Sequence, residues 1–338
     1  MQNCTQTSLK KYNSFGIDII SKKFFCATSK SELKEILEKI KDTPFILGEG
    51  TNILFKKEIE RSIIKIGIKG IEIVDEDKDF IFVRVGAGEN WDDLVNWAVN
   101  NDYGGLENLS LIPGSVGSAP VQNIGAYGVE ISDSLTFCET ISISNFHDFK
   151  FKNEDCKFSY RSSIFKKELK GHYVICYVNF RLTKKNHRIK FSYGPLQEIL
   201  SKNKIKTPTI KEISKFVKKI RKSKLPDPKK LGNCGSFFQN PVLSFDEFEE
   251  LKKKDHSVPS YYMSDNRVKI PAAYLIEKCG LKGIKKGNVG TFKKHALIIV
   301  NYGNASGEEI FDFSTMIKDY VLRKFNILLK EEVNIINQ

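Results

Sequence analysis

The chain lacks any long hydrophobic run. Stretches such as Ala296 to Val300 have the length of a strand, far short of the roughly 20 apolar residues that a bilayer span needs. The opening residues, MQNCTQTSLKKYNS, hold no apolar core of a secretory signal, so a cytoplasmic location without membrane insertion is expected. Cysteine is poorly placed for cross-linking. The seven, Cys4, Cys26, Cys138, Cys156, Cys176, Cys234 and Cys279, are odd in number and widely separated, and none forms a C-x-x-C pair. This argues against a disulfide framework or a zinc site and for small buried hydrophobes in a reducing compartment. The five histidines, His147, His172, His187, His256 and His295, show no ligand spacing either, so no metal is expected. Arginine is scarce, only 8 of the 54 basic residues behind a net charge of +13. A surface built to read bases or phosphates would favour the guanidinium fork. The lysine excess instead accompanies an excess of Ile, Asn and Phe, as AT-rich codons produce. No nucleic-acid partner is expected, and anionic small substrates remain open.

What is present points to an ordinary globular protein. The 338 residues are 41% apolar and 28% charged, which excludes disordered, collagen-like and coiled-coil classes. The length suits two or three domains with cores that need no staple. Internal repeats and low-complexity linkers are absent.

Short strands and helices alternate through the first third. Leu33, Ile36, Leu37 and Ile40 have helical spacing, with Ser31 as the expected cap. Phe45 to Leu47 reads as a buried strand that runs into the turn Gly48-Glu49-Gly50-Thr51-Asn52. Arg61 to Ile68, Phe80 to Val85 and Tyr173 to Leu182 alternate as strands do. Asn90 opens a helix with Trp91, Leu94, Val95 and Ala98 on one face. Lys211 to Lys222 reads as a helix ending before Leu225-Pro226-Asp227-Pro228, where two prolines suggest a domain boundary. Ser306-Gly307-Glu308-Glu309 is a capping box for a helix bearing Ile310, Phe313, Ile317, Val321 and Phe325. Glu332 to Ile336 closes the chain as a strand.

The segment Leu109 to Val129, LSLIPGSVGSAPVQNIGAYGV, departs from its surroundings. It is glycine-rich and nearly free of charge, whereas a solvated loop of this chain would carry Lys, Asp or Glu. Buried irregular main chain needs hydrogen-bond partners. A phosphate-bearing cofactor supplies acceptors, and glycine lets the backbone approach it. Common nucleotide and acyl-transfer signatures fail: there is no P-loop and no G-x-S-x-G elbow, and Gly86-Ala87-Gly88 is a lone G-x-G. Five clusters remain: Leu47 to Asn52, Ile112 to Gly128, Phe158-Ser159-Tyr160-Arg161-Ser162-Ser163, Gly232-Asn233-Cys234-Gly235-Ser236-Phe237-Phe238-Gln239-Asn240-Pro241, and Lys330-Glu331-Glu332-Val333.

These clusters, in this order and spacing, resemble the UDP-N-acetylenolpyruvoylglucosamine reductase family from Asn13-Ser14-Phe15-Gly16 to Glu332. IPGSVGSAPVQNIGAYG and GNCGSFFQNP carry most of the likeness, and Ser192-Tyr193-Gly194 resembles the substrate-covering loop of the family's longer subtype. The resemblance implies an α+β fold of the vanillyl-alcohol-oxidase type. Two FAD-binding lobes, 1–70 and 71–218, would precede a substrate-binding domain, 219–327, and the strand 328–338 would return to the first lobe or the active site. It implies that Gly48, Glu49, Gly50, Thr51 and Asn52, with Pro113, Gly114, Ser115, Gly117, Ser118, Asn123, Gly125, Ala126 and Tyr127, hold FAD. The first histidine, His147, lies beyond both loops, so the FAD is expected to be noncovalent. Hydride would pass from NADPH to the flavin and then to the methylene carbon of UDP-N-acetylglucosamine enolpyruvate. One flavin face would serve both reactants in turn.

The resemblance further assigns Arg161 to the substrate carboxylate, Ser236 to protonation of the enolate, and Glu332 to its stabilisation. Glu332 would then need a raised pKa, and Glu331 is a rival for the role. Tyr193, Lys224 and Asn240 would hold the UDP portion. A monomer is expected. An FAD-dependent oxidase of the same fold is the alternative function.

Overall fold

The computed structural model describes residues 3–192, 194–263 and 265–337, with the main chain alone for 3–5. Hydrophobic spacing decides its helices. Ile310, Phe313, Ile317, Val321 and Phe325 are buried along one face of the helix Gly307–Phe325, as spacings of three and four dictate. The Ser306 hydroxyl accepts from the Glu309 N–H at 3.1 Å, and the Glu309 carboxylate accepts from the Ser306 N–H at 2.7 Å. The helix stops where Asn326 turns left-handed at φ 57°. The first helix, Lys30–Lys39, buries Leu33, Ile36 and Leu37, each worth about 1.5–3 kcal/mol of transfer free energy. Its cap is Ser29 and not Ser31: the Ser29 hydroxyl accepts from the Glu32 N–H at 3.1 Å. A capping oxygen must sit outside the helix to reach an N–H three residues on, and Ser31 already lies in the first turn. The helix before the proline pair runs slightly longer than its pattern, Ile210–Lys224.

The fold is α+β, and the chain divides into two compact units. The first comprises the residues up to Thr7 with Ser21–Glu49 and Glu60–Ser223. In it Phe45–Leu47 and Ile20–Ala27 flank Ile63–Ile66 in parallel, within a four-stranded sheet. Its second sheet is antiparallel, ordered Asp148–Lys152, Leu135–Ser142, Tyr173–Thr183, Phe80–Gly86, Ile71–Glu76. One core joins these elements and includes the buried Trp91, Leu94 and Val95 of the helix Trp91–Asn100. The expected strand over 61–68 is confined to Ile63–Ile66, beyond which the Gly67 N–H still donates to the Ala27 carbonyl of the neighbouring strand at 2.8 Å.

The second unit comprises Ser8–Ile20, Gly50–Ile59 and Lys224–Gln338, and so takes over two residues before Pro226. Gly232–Ser236, His295–Asn301, Val289–Phe292 and Lys285–Lys286 form an antiparallel sheet in that order. The final strand, Asn334–Ile336, pairs in parallel with Ile53–Phe55, just after the glycine turn. Phe15, Phe237, Phe238 and the apolar face of Gly307–Phe325 belong to one core. Of the described cysteines, Cys138, Cys156, Cys176 and Cys234 are buried, as small hydrophobes, and Cys26 and Cys279 are half-buried. Among the described residues no helix is long and apolar enough to cross a membrane.

Candidate active site

The glycine-rich segment is irregular, as its composition implies. Three short 3-10 turns lead into a small hairpin, Gly125–Ala126 with Val129–Glu130. Its main chain turns left-handed at Leu111, Gly114, Asn123, Tyr127 and Gly128. It is tied down by the Trp91 N–H on the Gly114 carbonyl and the Gly117 N–H on the Ala87 carbonyl, both at 2.9 Å. Asn123 is buried, and its amide donates to the Glu130 carboxylate at 2.6 Å and to the Ser159 carbonyl at 3.2 Å. Its side chain shapes the loop.

Gly48 and Glu49 belong to the same unit. A Cβ on Gly48 would stand 2.6 Å from the Ser115 hydroxyl and 3.6 Å from Ser118 Cβ, so turn and loop meet with room only for hydrogen. The Ser118 hydroxyl donates to the Ser115 carbonyl at 2.7 Å. Lys65 Nζ braces the turn, donating to the Gly48 carbonyl at 2.8 Å and pairing with Glu49 at 2.7 Å. Two hydroxyls, left-handed glycine main chain and a lysine beside a close-packed turn suit a diphosphate-bearing cofactor. Lys65 has no local sequence signal, being one lysine among many.

Arg161 sits at the tip of a tight turn. Ser159 and Ser162 exchange both main-chain hydrogen bonds at 3.0 Å, and Arg161 takes φ 51°, a conformation that costs a non-glycine residue about 1 kcal/mol or more. The turn is fastened to the glycine-rich loop by the Ser163 hydroxyl on the Val121 carbonyl at 2.7 Å and by Asn123. Arg161 Nη1 lies 3.5 Å from where a Cβ on Gly125 would be. Arg161 and the expected flavin loop are therefore brought together. Arg221 stands nearby, with its Nε donating to the Leu111 carbonyl at 3.2 Å. Burial lowers its guanidinium pKa and Arg161 adds to the effect, against Tyr127 and Asp92. Two arginines close enough to repel, beside a glycine loop, favour an anionic ligand.

The other expected residues lie in the second unit. Ser236 ends the strand Gly232–Ser236, and Gly235 before it is left-handed at φ 70°. Burial lifts the Cys234 thiol to about 12, against hydrogen bonds with Ser14 and the Ile53 carbonyl, so this cysteine is a neutral packing group. Residues 237–239 run beside 330–332. The Glu332 N–H donates to the Phe237 carbonyl at 2.8 Å, and the Gln239 N–H to the Lys330 carbonyl at 2.9 Å. Ser236 and Glu332 are thereby brought into one neighbourhood. Asn52 joins them, since its amide donates to the Glu332 carbonyl at 3.2 Å and its own carbonyl accepts from the Asn334 N–H at 3.0 Å. Glu331 is ion-paired with Lys318 at 2.8 Å. Asn240 Oδ1 accepts from the Ala272 N–H at 2.9 Å, and Lys224 is exposed at its helix end. Tyr193 lies outside the described residues.

Comparison with known proteins bears on both units. Residues 21–142 match the family described as FAD binding domain, and residues 227–336 match UDP-N-acetylenolpyruvoylglucosamine reductase, C-terminal domain. A UDP-N-acetylenolpyruvoylglucosamine reductase of Flavobacterium johnsoniae is 49% identical over 97% of this chain and 98% of its own. Its counterpart in Amoebophilus asiaticus is 42% identical over 97% of each. The crystal structure of UDP-N-acetylenolpyruvylglucosamine reductase (MurB) from Thermus caldophilus superposes with a TM-score of 0.70 at 21% identity, over 99% of both chains.

Proposed function

The chain belongs to the UDP-N-acetylenolpyruvoylglucosamine reductase family, and we propose that, with FAD and NADPH, it reduces UDP-N-acetylglucosamine enolpyruvate to UDP-N-acetylmuramate. This is a step of peptidoglycan precursor synthesis, assigned here to a monomer in the cytoplasm. Identity of 49% with a reductase of that name, along nearly the whole of both chains, carries the reading.

FAD supplies a hydride carrier that NADPH and the enol ether use in turn. The residues fit it: Gly48, Glu49, Gly50, Thr51 and Asn52 would hold it together with Pro113, Gly114, Ser115, Gly117, Ser118, Asn123, Gly125, Ala126 and Tyr127, and Lys65 would favour its diphosphate. The close approach of Gly48 to Ser115 supports this, because any side chain there would drive the two apart. Residues 1–70 and 71–218 serve FAD, 219–327 the UDP-sugar, and 328–338 bring in Glu332.

Arg161 binds the substrate carboxylate. Its permanent charge and planar fork suit that group and the enolate that develops beside it. Its left-handed turn, clamped on the loop by Asn123 and Ser163, supplies the preorganisation that such stabilisation needs. Ser236 donates a proton to the carbon next to the carboxylate. Glu332 stabilises the same charge through its protonated carboxyl or a water. Glu331, the rival for the role, is tied to Lys318 at 2.8 Å. Lys224 neutralises the diphosphate. Asn240 offers its amide N–H groups to the UDP portion, since its carbonyl oxygen already accepts from Ala272.

An anaerobic titration tests the proposal. The yellow protein should bleach with NADPH and regain its colour with UDP-N-acetylglucosamine enolpyruvate, releasing UDP-N-acetylmuramate. Bleaching by an alcohol and recolouring by air would make it an oxidase instead.

A further inference from the structure

Asn13-Ser14-Phe15-Gly16 has no part in the chemistry above, yet its main chain is wedged between two functional segments of its own unit. On one side the Ser14 N–H donates to the Gly50 carbonyl at 3.0 Å, and a Cβ on Gly50 would stand 1.9 Å from the Tyr12 carbonyl oxygen. On the other side the Ser14 carbonyl accepts from the Asn233 N–H at 3.0 Å, and a Cβ on Gly232 would stand 2.3 Å from the Phe15 carbonyl oxygen. The Ser14 hydroxyl lies 3.4 Å from Cys234 Sγ. The Phe15 ring is buried 6.3 Å from the ring of Phe237, which itself meets Phe238 edge-on at 5.1 Å. Residues 232, 233, 234 and 237 are thus all in contact with this segment, and Ser236 stands among them.

The segment is itself held rigid. The Asn13 side chain is buried, donates to the Leu9 and Ile17 carbonyls at 2.8 Å and accepts from the Ile17 N–H at 3.0 Å. The Asn301 amide, on the strand paired with Gly232–Ser236, donates to the Phe15 carbonyl at 3.0 Å. A small hydroxyl that must deliver a proton to one carbon needs its position fixed within about 0.5 Å by supporting groups.

We propose that Asn13-Ser14-Phe15-Gly16 is a positioning element that sets Ser236 in register with the glycine turn through Gly50, Gly232 and Phe237. The inference rests on Ser236 being the proton donor. Asn13 and Phe15 are positioning residues and touch no reactant.

The test uses the full-length, FAD-loaded Asn13→Ala and Gly232→Ala variants, each alone and combined with Ser236→Ala. Each single variant should keep reduction by NADPH within about twofold. Reoxidation by UDP-N-acetylglucosamine enolpyruvate should slow about 10- to 100-fold, with a larger solvent deuterium isotope effect. On the Ser236→Ala background the same substitutions should cost less than about threefold more, because they act through a group already gone. Hydrogen exchange at residues 232–237 should quicken in both variants, with that of the strand Tyr173–Thr183 unchanged. If Asn13→Ala does not accumulate, Gly232→Ala decides alone. Equal slowing of both half-reactions, or undiminished losses on the Ser236→Ala background, would overturn the proposal. An Ser236→Ala enzyme that reoxidises normally would overturn the role of Ser236 and this inference with it.

Discussion

Glu331 pairs with Lys318 at 2.8 Å, while its neighbour Glu332 is fixed by its own N–H on the Phe237 carbonyl, also at 2.8 Å. Glu331 is thus tied to the helix Gly307–Phe325 by its carboxylate, and Glu332 is the residue proposed for the chemistry. Glu332→Gln should slow reoxidation by the enolpyruvyl substrate by about 100-fold or more. Glu331→Gln should leave turnover within about threefold and cost roughly 1 kcal/mol of stability, the worth of a partly exposed ion pair. Stopped-flow absorbance and thermal melts of the two proteins measure both effects.

Arg161→Lys keeps the charge and loses the fork. Its expected cost is about 10- to 100-fold in kcat/KM for the UDP-sugar, with the rate of reduction by NADPH and the FAD content unchanged, since a point charge cannot hold a carboxylate in two places. Half-reaction kinetics and the flavin absorbance per protein give both quantities.

Gly50→Ala places a methyl group against the Tyr12 carbonyl and forces a left-handed φ of 65° on a residue that resists it. The purified variant is expected to be pale and to bind added FAD at least about 10-fold more weakly, or about 1.4 kcal/mol. Fluorescence titration of the apoprotein measures this.

The His295 imidazole is pushed below its ordinary range by burial first and then by Lys224 and Lys282, against the opposing pull of Glu277. The unfolded chain takes up this proton near pH 6.5, and the folded chain resists it. The unfolded state therefore binds more protons below that pH, and stability falls as pH drops through the window beneath about 6.5. The Tm of His295→Gln should fall less between pH 7 and 5 than that of the unaltered protein. An equal or steeper fall would remove His295 from the account.

The helices and the glycine loop were legible because their causes are local. Apolar spacing names the buried face of Gly307–Phe325, and a long stretch without charge marks main chain that cannot face water. The Ser31 cap was misread because two neighbouring serines both suit a helix start and only the register of Glu32 separates them. The left-handed Arg161 left no trace, since glycine or asparagine usually marks such a position. Lys65 and Ser14 were hidden for another reason. Their roles exist only when distant chain arrives, as when Asn52 meets Glu332 across 280 positions.

The central claim is that Ser236 supplies the proton that completes reduction of the enol ether. Anaerobic stopped flow of FAD-loaded Ser236→Ala tests it most directly. Bleaching by NADPH should match the unaltered protein within about twofold, and recolouring by UDP-N-acetylglucosamine enolpyruvate should be slower by about 1,000-fold. Recolouring at the unaltered rate, or an equal slowing of both phases, would contradict the account.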